Sequence, residues 1–230
     1  MSSKLIIMEK IKYIALVDND GTLRDTNGVK DAMLNDFCVT VFGKLPKNKP
    51  LPTEIHRAMH GRPMNEIFVE IASSIYGKSI SLEDGQVITE MLNNYIRAEY
   101  VSRPVYKGVR EFFEKLKAMG IPLYILTGME PDMVDEGLVA HGLDDLFIET
   151  LGAPTTKEAN VEQVLKKYPG AKILAFGDAL SEYKVTMAYE GTIFVAVDME
   201  NRTKRVFPDD VKVYTSFDDE MMSDIIAQMN

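Results

Sequence analysis

Tyr13-Ile14-Ala15-Leu16-Val17-Asp18-Asn19-Asp20-Gly21-Thr22-Leu23 is the stretch that decides the fold. Five apolar residues run without alternation and stop at two acids. A strand-length run with no polar alternation belongs to a strand covered on both faces, as in a parallel sheet. Gly21 lets the chain turn away sharply behind it. Similar runs recur at Ile121–Leu126, Leu146–Ile148, Ile173–Phe176 and Ile193–Val197, with a weaker one at Val211–Tyr214. Helix patterns lie between them. Val109, Phe112, Phe113 and Leu116 share one helix face, and Gly120 follows its end. Met133–Ala140 is followed by Gly142, and Lys157–Tyr168 by Pro169-Gly170. Ser216 with Asp219 resembles a capping box opening a final helix, and Asp218, Asp219 and Glu220 supply acids for its first turn. Strands alternating with helices at this rhythm predict an α/β fold with a Rossmann-like parallel sheet.

The rhythm breaks once. From Asp25 to Arg103 there is no strand-like run, only helix patterns at Val29–Phe42, Thr53–Met59, Asn65–Tyr76 and Leu82–Tyr100. The turn-rich Leu45–Pro52 separates the first two. The expected organisation is a core of residues 1–24 and 104–230 with an all-helical insertion, 25–103, of about 80 residues, near the lower end of domain size.

With 26 Lys and Arg against 35 Asp and Glu, the net charge of −9 argues against sequence-independent nucleic-acid binding, which needs a basic face. The single cysteine, Cys38, excludes an internal disulfide framework and a cysteine-based zinc site. The N-terminal apolar stretch is interrupted by Lys4, Glu9, Lys10 and Lys12, so neither a signal peptide nor a membrane span is expected. The expected location is the cytoplasm. Nothing in the sequence sets the oligomeric state.

In open α/β sheets, ligands bind beyond the carboxyl ends of the strands. The first run ends in Asp18 and Asp20, two apart and so on one side of an extended segment. Two carboxylates this close repel, and hard oxygen donors of this kind suit Mg²⁺. Read alone, Asp-Asn-Asp-Gly is also a hairpin turn. It is not a calcium loop, since Leu23 and Val29 stand where Gly and Glu are needed. The second run ends in Thr127-Gly128, opening a helix, and a hydroxyl and free N–H groups at a helix N-terminus can cradle an anion, although a Thr there can equally be a helix cap. Lys157 opens a helix, a position unfavourable to the helix dipole, and as a surface lysine it would need no other role. The fourth run ends in Gly177-Asp178, with Glu182 four residues on; alone, these read as a cap and a first-turn acid. Together they place three acids, a hydroxyl and a lysine at one sheet edge, a set suited to a metal-bridged phosphoryl group.

At these residues the chain resembles the haloacid dehalogenase superfamily. Val17–Leu23 resembles its first motif, Ile125-Leu126-Thr127-Gly128 the second, Lys157 the third, and Phe176-Gly177-Asp178 with Glu182 the fourth. The resemblance implies a phosphatase acting on a small phosphorylated metabolite. In it, Asp18 is the nucleophile that forms an aspartyl phosphate, and Asp20 the general acid and then base. It implies Mg²⁺ held by Asp18, the backbone carbonyl of Asp20, and Asp178, with Glu182 behind them. It also implies that the helical insertion is a cap of the phosphoglycolate phosphatase and β-phosphoglucomutase type. Asn19 sits where an apolar residue is commoner, Glu158 follows Lys157 in place of the frequent Pro, and Glu182 replaces the commoner Asp. A phosphomutase is the alternative within this class. A receiver-like phospho-aspartate signalling domain is the alternative outside it, although a receiver has no place for the insertion.

Arg62, after Gly61, and Arg24, just past the first motif, are candidates for binding an anionic part of the substrate. His56 and His60 are four apart, but Arg57 stands where a zincin needs glutamate, so they read as an ordinary polar helix face.

Overall fold

A computed structural model describes residues 11–59, 62–200 and 207–230. The N-terminal ten residues, His60 and Gly61 lie outside them. The chain divides into two compact units, Met1–Asp25 with Pro104–Asn230, and Thr26–Arg103.

The first unit carries a six-stranded parallel sheet: β1 (Tyr13–Val17), β2 (Leu123–Leu126), β3 (Thr150–Leu151), β4 (Lys172–Gly177), β5 (Ile193–Val197) and β6 (Val213–Tyr214). Their order is β3-β2-β1-β4-β5-β6. Every residue of β1 and β2 is buried, as unalternating runs require. Helices α5 (Val109–Ala118), α6 (Pro131–Ala140), α7 (Lys157–Lys167), α8 (Leu180–Met187) and α9 (Asp219–Met229) complete the unit. On one side of the sheet, Ile14, Leu16, Tyr124, Leu126, Ile173 and Ala175 pack with Val161 and Val164 of α7. On the other, Phe176 meets Phe112 and Phe113 of α5, with Phe217 beside them at ring separations of 5.2 to 5.9 Å.

The third strand differs from the sequence expectation. Leu146–Ile148 is not a strand: Leu143 N–H donates to Leu138 O and Leu146 N–H to Leu143 O, folding this segment into a turn after α6. Leu146 is buried as the turn's apolar anchor and Ile148 is exposed. Ile148 N–H already donates to Leu123 O of β2 at 2.8 Å, and the paired strand residues begin at Thr150, opposite Ile125. The last helix is capped by Asp218, whose carboxylate accepts from Met221 N–H at 3.0 Å, while Ser216 donates to Asp218.

The second unit contains α1 (Asn27–Phe42), α2 (Pro52–Ala58), α3 (Met64–Tyr76) and α4 (Leu82–Ser102), with no strand among its described residues. The buried Phe37 packs its ring, tilted, against those of Phe68 and Tyr95. Asp31 of α1 ties down α2, accepting from His56 Nδ1 at 2.8 Å and Arg57 Nε at 2.5 Å. Ser81 and Asp84 form a reciprocal capping box at the start of α4.

Where the chain leaves and re-enters the first unit, Asp25 N–H donates to Pro104 O, and Tyr106 N–H to Leu23 O. Gly108 then starts α5 at φ 85°, with a β-carbon there driven into the Phe217 carbonyl. Gly108→Ala combines left-handed strain with a backbone collision. It is expected to cost about 2–4 kcal/mol and to lower the melting temperature by roughly 5–15 °C. A melting curve that superimposes on the wild type would show that the re-entry turn relaxes freely.

Candidate functional site

The strand order reverses between β1 and β4, and a crevice at such a reversal is where open α/β sheets place their ligands. Asp18 follows β1 and Asp178 follows β4, so the two acids flank that point. Asp18 N–H donates to Phe176 O at 2.9 Å, which fixes the nearer acid on the sheet itself. Both side chains are buried.

Behind Asp18 the chain closes into a tight turn. Asn19 O accepts N–H bonds from Thr22, Leu23 and Arg24 at 3.4, 3.0 and 3.1 Å, and Gly21 N–H donates to Arg24 O. Gly21 sits at φ 73°, the left-handed region expected from the sequence. Asp20, half-buried on this turn, accepts from Asn19 Nδ2 at 3.1 Å. The hairpin reading of these four residues therefore does not hold: the turn leaves a parallel strand and leads out of the unit.

Thr127 lies just past β2, its N–H held by Leu151 O. It does not cap α6, which begins at Pro131 behind Glu130. Its buried hydroxyl oxygen accepts from Met129 N–H at 3.1 Å, shaping the Thr127-Gly128 turn, with Gly128 exposed. The sequence expectation that Thr127-Gly128 open the helix directly is corrected by this turn. Nor is Asp178 the cap of α8, since Ala179 occupies that position.

Lys157 is the first residue of α7, behind the cap Thr156. Its ammonium lies 3.3 Å from Asp18 Oδ1 and also bonds to Glu182 Oε1. The dipole-unfavourable position is thus offset by two buried carboxylates. Glu182 has its own seat: a β-carbon at Gly177 would crowd Glu182 Cβ and Cγ, so only glycine leaves room for it against β4. Ser181 Oγ adds a bond to Glu182 Oε1 at 3.0 Å.

The electrostatics follow from this crowding. Burial pushes the Asp18 carboxyl well above the usual carboxylate range; Lys157 opposes that, and Glu182, Asp178 and Asp20 reinforce it. Burial alone would lower Lys157, but Asp18 and Glu182 reverse this and hold it above its ordinary value. Four carboxylates against one ammonium leave excess negative charge, which a bound cation would relieve. Glu182 Oε2 is buried without a hydrogen-bond donor among the described residues, a further acceptor suited to a hydrated ion. Among the described residues no three His, Cys, Asp or Glu side chains form a ready metal cage. A site of two carboxylates and a main-chain carbonyl would leave coordination positions to water, as suits a hard divalent ion.

The two arginine candidates each have local packing or partners of their own. Arg24 is fully buried, and its guanidinium lies against α6 at Gly137, where a β-carbon would collide with it. This places Arg24 in the packing under the motif's turn. Arg62, in the helical unit, is exposed, and its Nε donates to Glu66 Oε2 at 2.8 Å. One neighbour had no sequence signal. Tyr106, just past the re-entry point, donates to Glu200 at 3.5 Å. Burial, then Glu200, Asp25 and Asp178, hold its phenol above its ordinary value.

Comparison with known proteins agrees with the fold. A family model for hydrolases, haloacid dehalogenase-like hydrolase, matches residues 14–184. A 2-hydroxy-3-keto-5-methylthiopentenyl-1-phosphate phosphatase from Microcystis aeruginosa is 22% identical over 156 residues, covering 58% of this chain and 72% of its own. A HAD hydrolase of family IA, variant 3, from Entamoeba histolytica superposes with a TM-score of 0.72 at 18% identity, over 94% of this chain and 99% of its own. A predicted phosphoglycolate phosphatase from Haemophilus somnus 129pt does so with a TM-score of 0.67 at 21% identity, over the same shares. With the family model spanning most of the chain, from within β1 into α8, the chain belongs to the haloacid dehalogenase-like hydrolases.

Proposed function

We propose that this chain is a Mg²⁺-dependent phosphatase that hydrolyses a small phosphorylated metabolite through an aspartyl phosphate on Asp18. The observation that carries the reading is the reach of Lys157, 139 residues along the chain, to within 3.3 Å of Asp18. An ammonium beside a buried carboxylate lets an anionic phosphoryl group approach that carboxylate. The phosphatase name of the Microcystis relative supports the same reaction class.

In this reading an Asp18 carboxylate oxygen attacks phosphorus, the bond from phosphorus to the leaving oxygen breaks, and Asp20 protonates that oxygen. Water then attacks the phosphorus of the acyl phosphate, Asp20 takes up its proton, and inorganic phosphate departs from a restored Asp18. The Thr127 hydroxyl, the Gly128 N–H and the Lys157 ammonium hold the non-bridging oxygens, and Glu182 fixes Lys157. Asp18, Asp178 and the Asp20 main-chain carbonyl would hold the Mg²⁺, which supplies charge against the repulsion between nucleophile and phosphate. The helical unit acts as the cap that selects the substrate.

These assignments can be checked one by one. Asp18→Asn keeps the shape and removes the attacking charge. Its kcat should fall by at least roughly three orders of magnitude, about 4 kcal/mol of barrier, with release of inorganic phosphate from p-nitrophenyl phosphate as the readout. The same variant reports the buried charge. Because burial raises the folded value of Asp18, ionising it in the metal-free protein costs stability. That cost is absent below the ordinary value of 3.8 and grows as pH rises through the folded value. Metal-free Asp18→Asn should therefore melt above wild type at pH 7, with the gap closing toward acid. A lower melting temperature would mean that the pairing with Lys157 outweighs the burial.

Chelation by EDTA should abolish turnover and Mg²⁺ restore it. Calcium should substitute poorly because it takes more ligands in looser geometry. Full activity in EDTA would sink the metal assignment. For the cap, Arg62→Ala should lower kcat/KM on the best substrate of a phosphometabolite panel by about 1–3 kcal/mol, the scale of a charge-assisted hydrogen bond. It should matter much less with p-nitrophenyl phosphate, which offers no second anion. Equal kinetics on that best substrate would reduce Arg62 to a solvated partner of Glu66.

A further inference from the structure

Asn19 is fully buried between the two aspartates of the motif, a costly place for an amide unless its polar atoms are used. Its main chain is used: the carbonyl gathers three N–H groups of the turn. Its side chain is used separately, with Nδ2 lying 3.1 Å from Asp20 Oδ1. The amide's orientation follows from the chemistry, because a carboxylate accepts and only the NH₂ end of the amide can donate. Asp20 itself is half-buried at a turn, where a short side chain would otherwise sample several rotamers.

We infer that Asn19 is a positioning residue for Asp20: its amide N–H holds Oδ1 and makes Oδ2 the oxygen that carries the proton to and from the reacting groups. The inference rests on the acid–base reading of Asp20 given above. Asn19 touches no reacting atom in this scheme and acts only through the Asp20 carboxyl. Holding one oxygen selects one rotamer and one proton-bearing atom, and this is preorganisation of a proton donor. The consequence is specific. Losing the amide should matter most where proton donation matters most, with poor leaving groups, and least where the leaving oxygen departs unaided.

The test is kcat/KM for p-nitrophenyl, phenyl and benzyl phosphate, similar in shape and graded in leaving group, with Mg²⁺-loaded wild type, Asn19→Leu, Asn19→Ala, Asp20→Asn and the double variant Asn19→Leu/Asp20→Asn. Asn19→Leu should lose at least tenfold more on benzyl phosphate than on p-nitrophenyl phosphate, in the same direction as Asp20→Asn. In the Asp20→Asn background, Asn19→Leu should add less than about twofold, since coupled residues are not additive. An equal loss on all three esters, or a full additional loss in the double variant, would make Asn19 a structural residue of the turn and overturn the inference while leaving Asp20 in its role. If Asp20→Asn shows no leaving-group dependence, the acid–base reading fails and this inference with it. Should Asn19→Leu melt far below wild type, Asn19→Ala, which removes the donor without adding a larger apolar side chain, carries the same comparison. The same leaving-group discrimination is expected from it, and its absence would overturn the inference equally.

Discussion

The arrangement turns on a single constraint: a carboxylate has to remain usable at the end of a strand buried on both faces. β1 is completely covered, and Asp18 is the first residue after it. Ionised carboxylates in such places are stabilised only by nearby positive charge or by donated hydrogen bonds. Lys157 supplies that charge, and Glu182 with Ser181 holds Lys157 in turn. The lysine's awkward place at the first position of α7, the glycine at 177 and the acid in the first turn of α8 are explained by this one requirement. Of the two on helices, Lys157 opposes the dipole of its own helix, whereas Glu182 favours that of α8. Each acts on Asp18 directly or through one intermediary.

Topology brings these residues together. A parallel sheet with the order β3-β2-β1-β4-β5-β6 puts the carboxyl ends of β1, β2 and β4 side by side, although they lie far apart in sequence. The residue closing each apolar run therefore meets the residues closing its neighbours. That is why so much of the site is legible in the sequence. The apolar runs mark the strands, parallel pairing aligns their ends, and chemistry then concentrates at those ends. Asp18, Thr127 and Asp178 each stand directly after a strand, and Lys157 opens the helix behind β3.

What the sequence did not reveal has identifiable causes. Leu146–Ile148 has the composition of a strand, but in a segment this short burial and strand pairing call for the same residues. Leu146 N–H instead turns back to Leu143 O, Ile148 N–H reaches across to Leu123 O of β2, and a two-residue edge strand follows. Ser216 and Asp218 both offer capping oxygens two residues apart; the Asp218 carboxylate takes the Met221 N–H, and the Ser216 hydroxyl donates to Asp218 instead. Arg24 carried a charge next to the motif, which in a sequence reads as a ligand. The glycine that accommodates it, Gly137, lies on a helix far along the chain, so no local pattern could have shown that this guanidinium is packed away. Tyr106 was equally silent, because its closeness to Asp178 and Glu200 depends on where the chain re-enters the first unit.

The motif's turn shows how main chain and side chain divide the work. The Asn19 carbonyl collects three N–H groups, and Gly21 in the left-handed region lets Arg24 O close the loop from the other side. The turn is therefore held by backbone bonds that most residues at position 19 would also make. The side chain at 19 is left for something else, and an amide donor beside Asp20 gives it a use that an apolar residue does not have. By contrast, the Asp18 carboxyl has no tolerance of this kind, since its surroundings already hold three further acids. On the proposed roles, such a site would keep its nucleophile Asp18 under fixed and crowded electrostatic control, while its proton carrier Asp20 would be tuned by the side chain at position 19. On that proposal, variation at position 19 would change the acid–base step while leaving in place the backbone bonds that hold the turn.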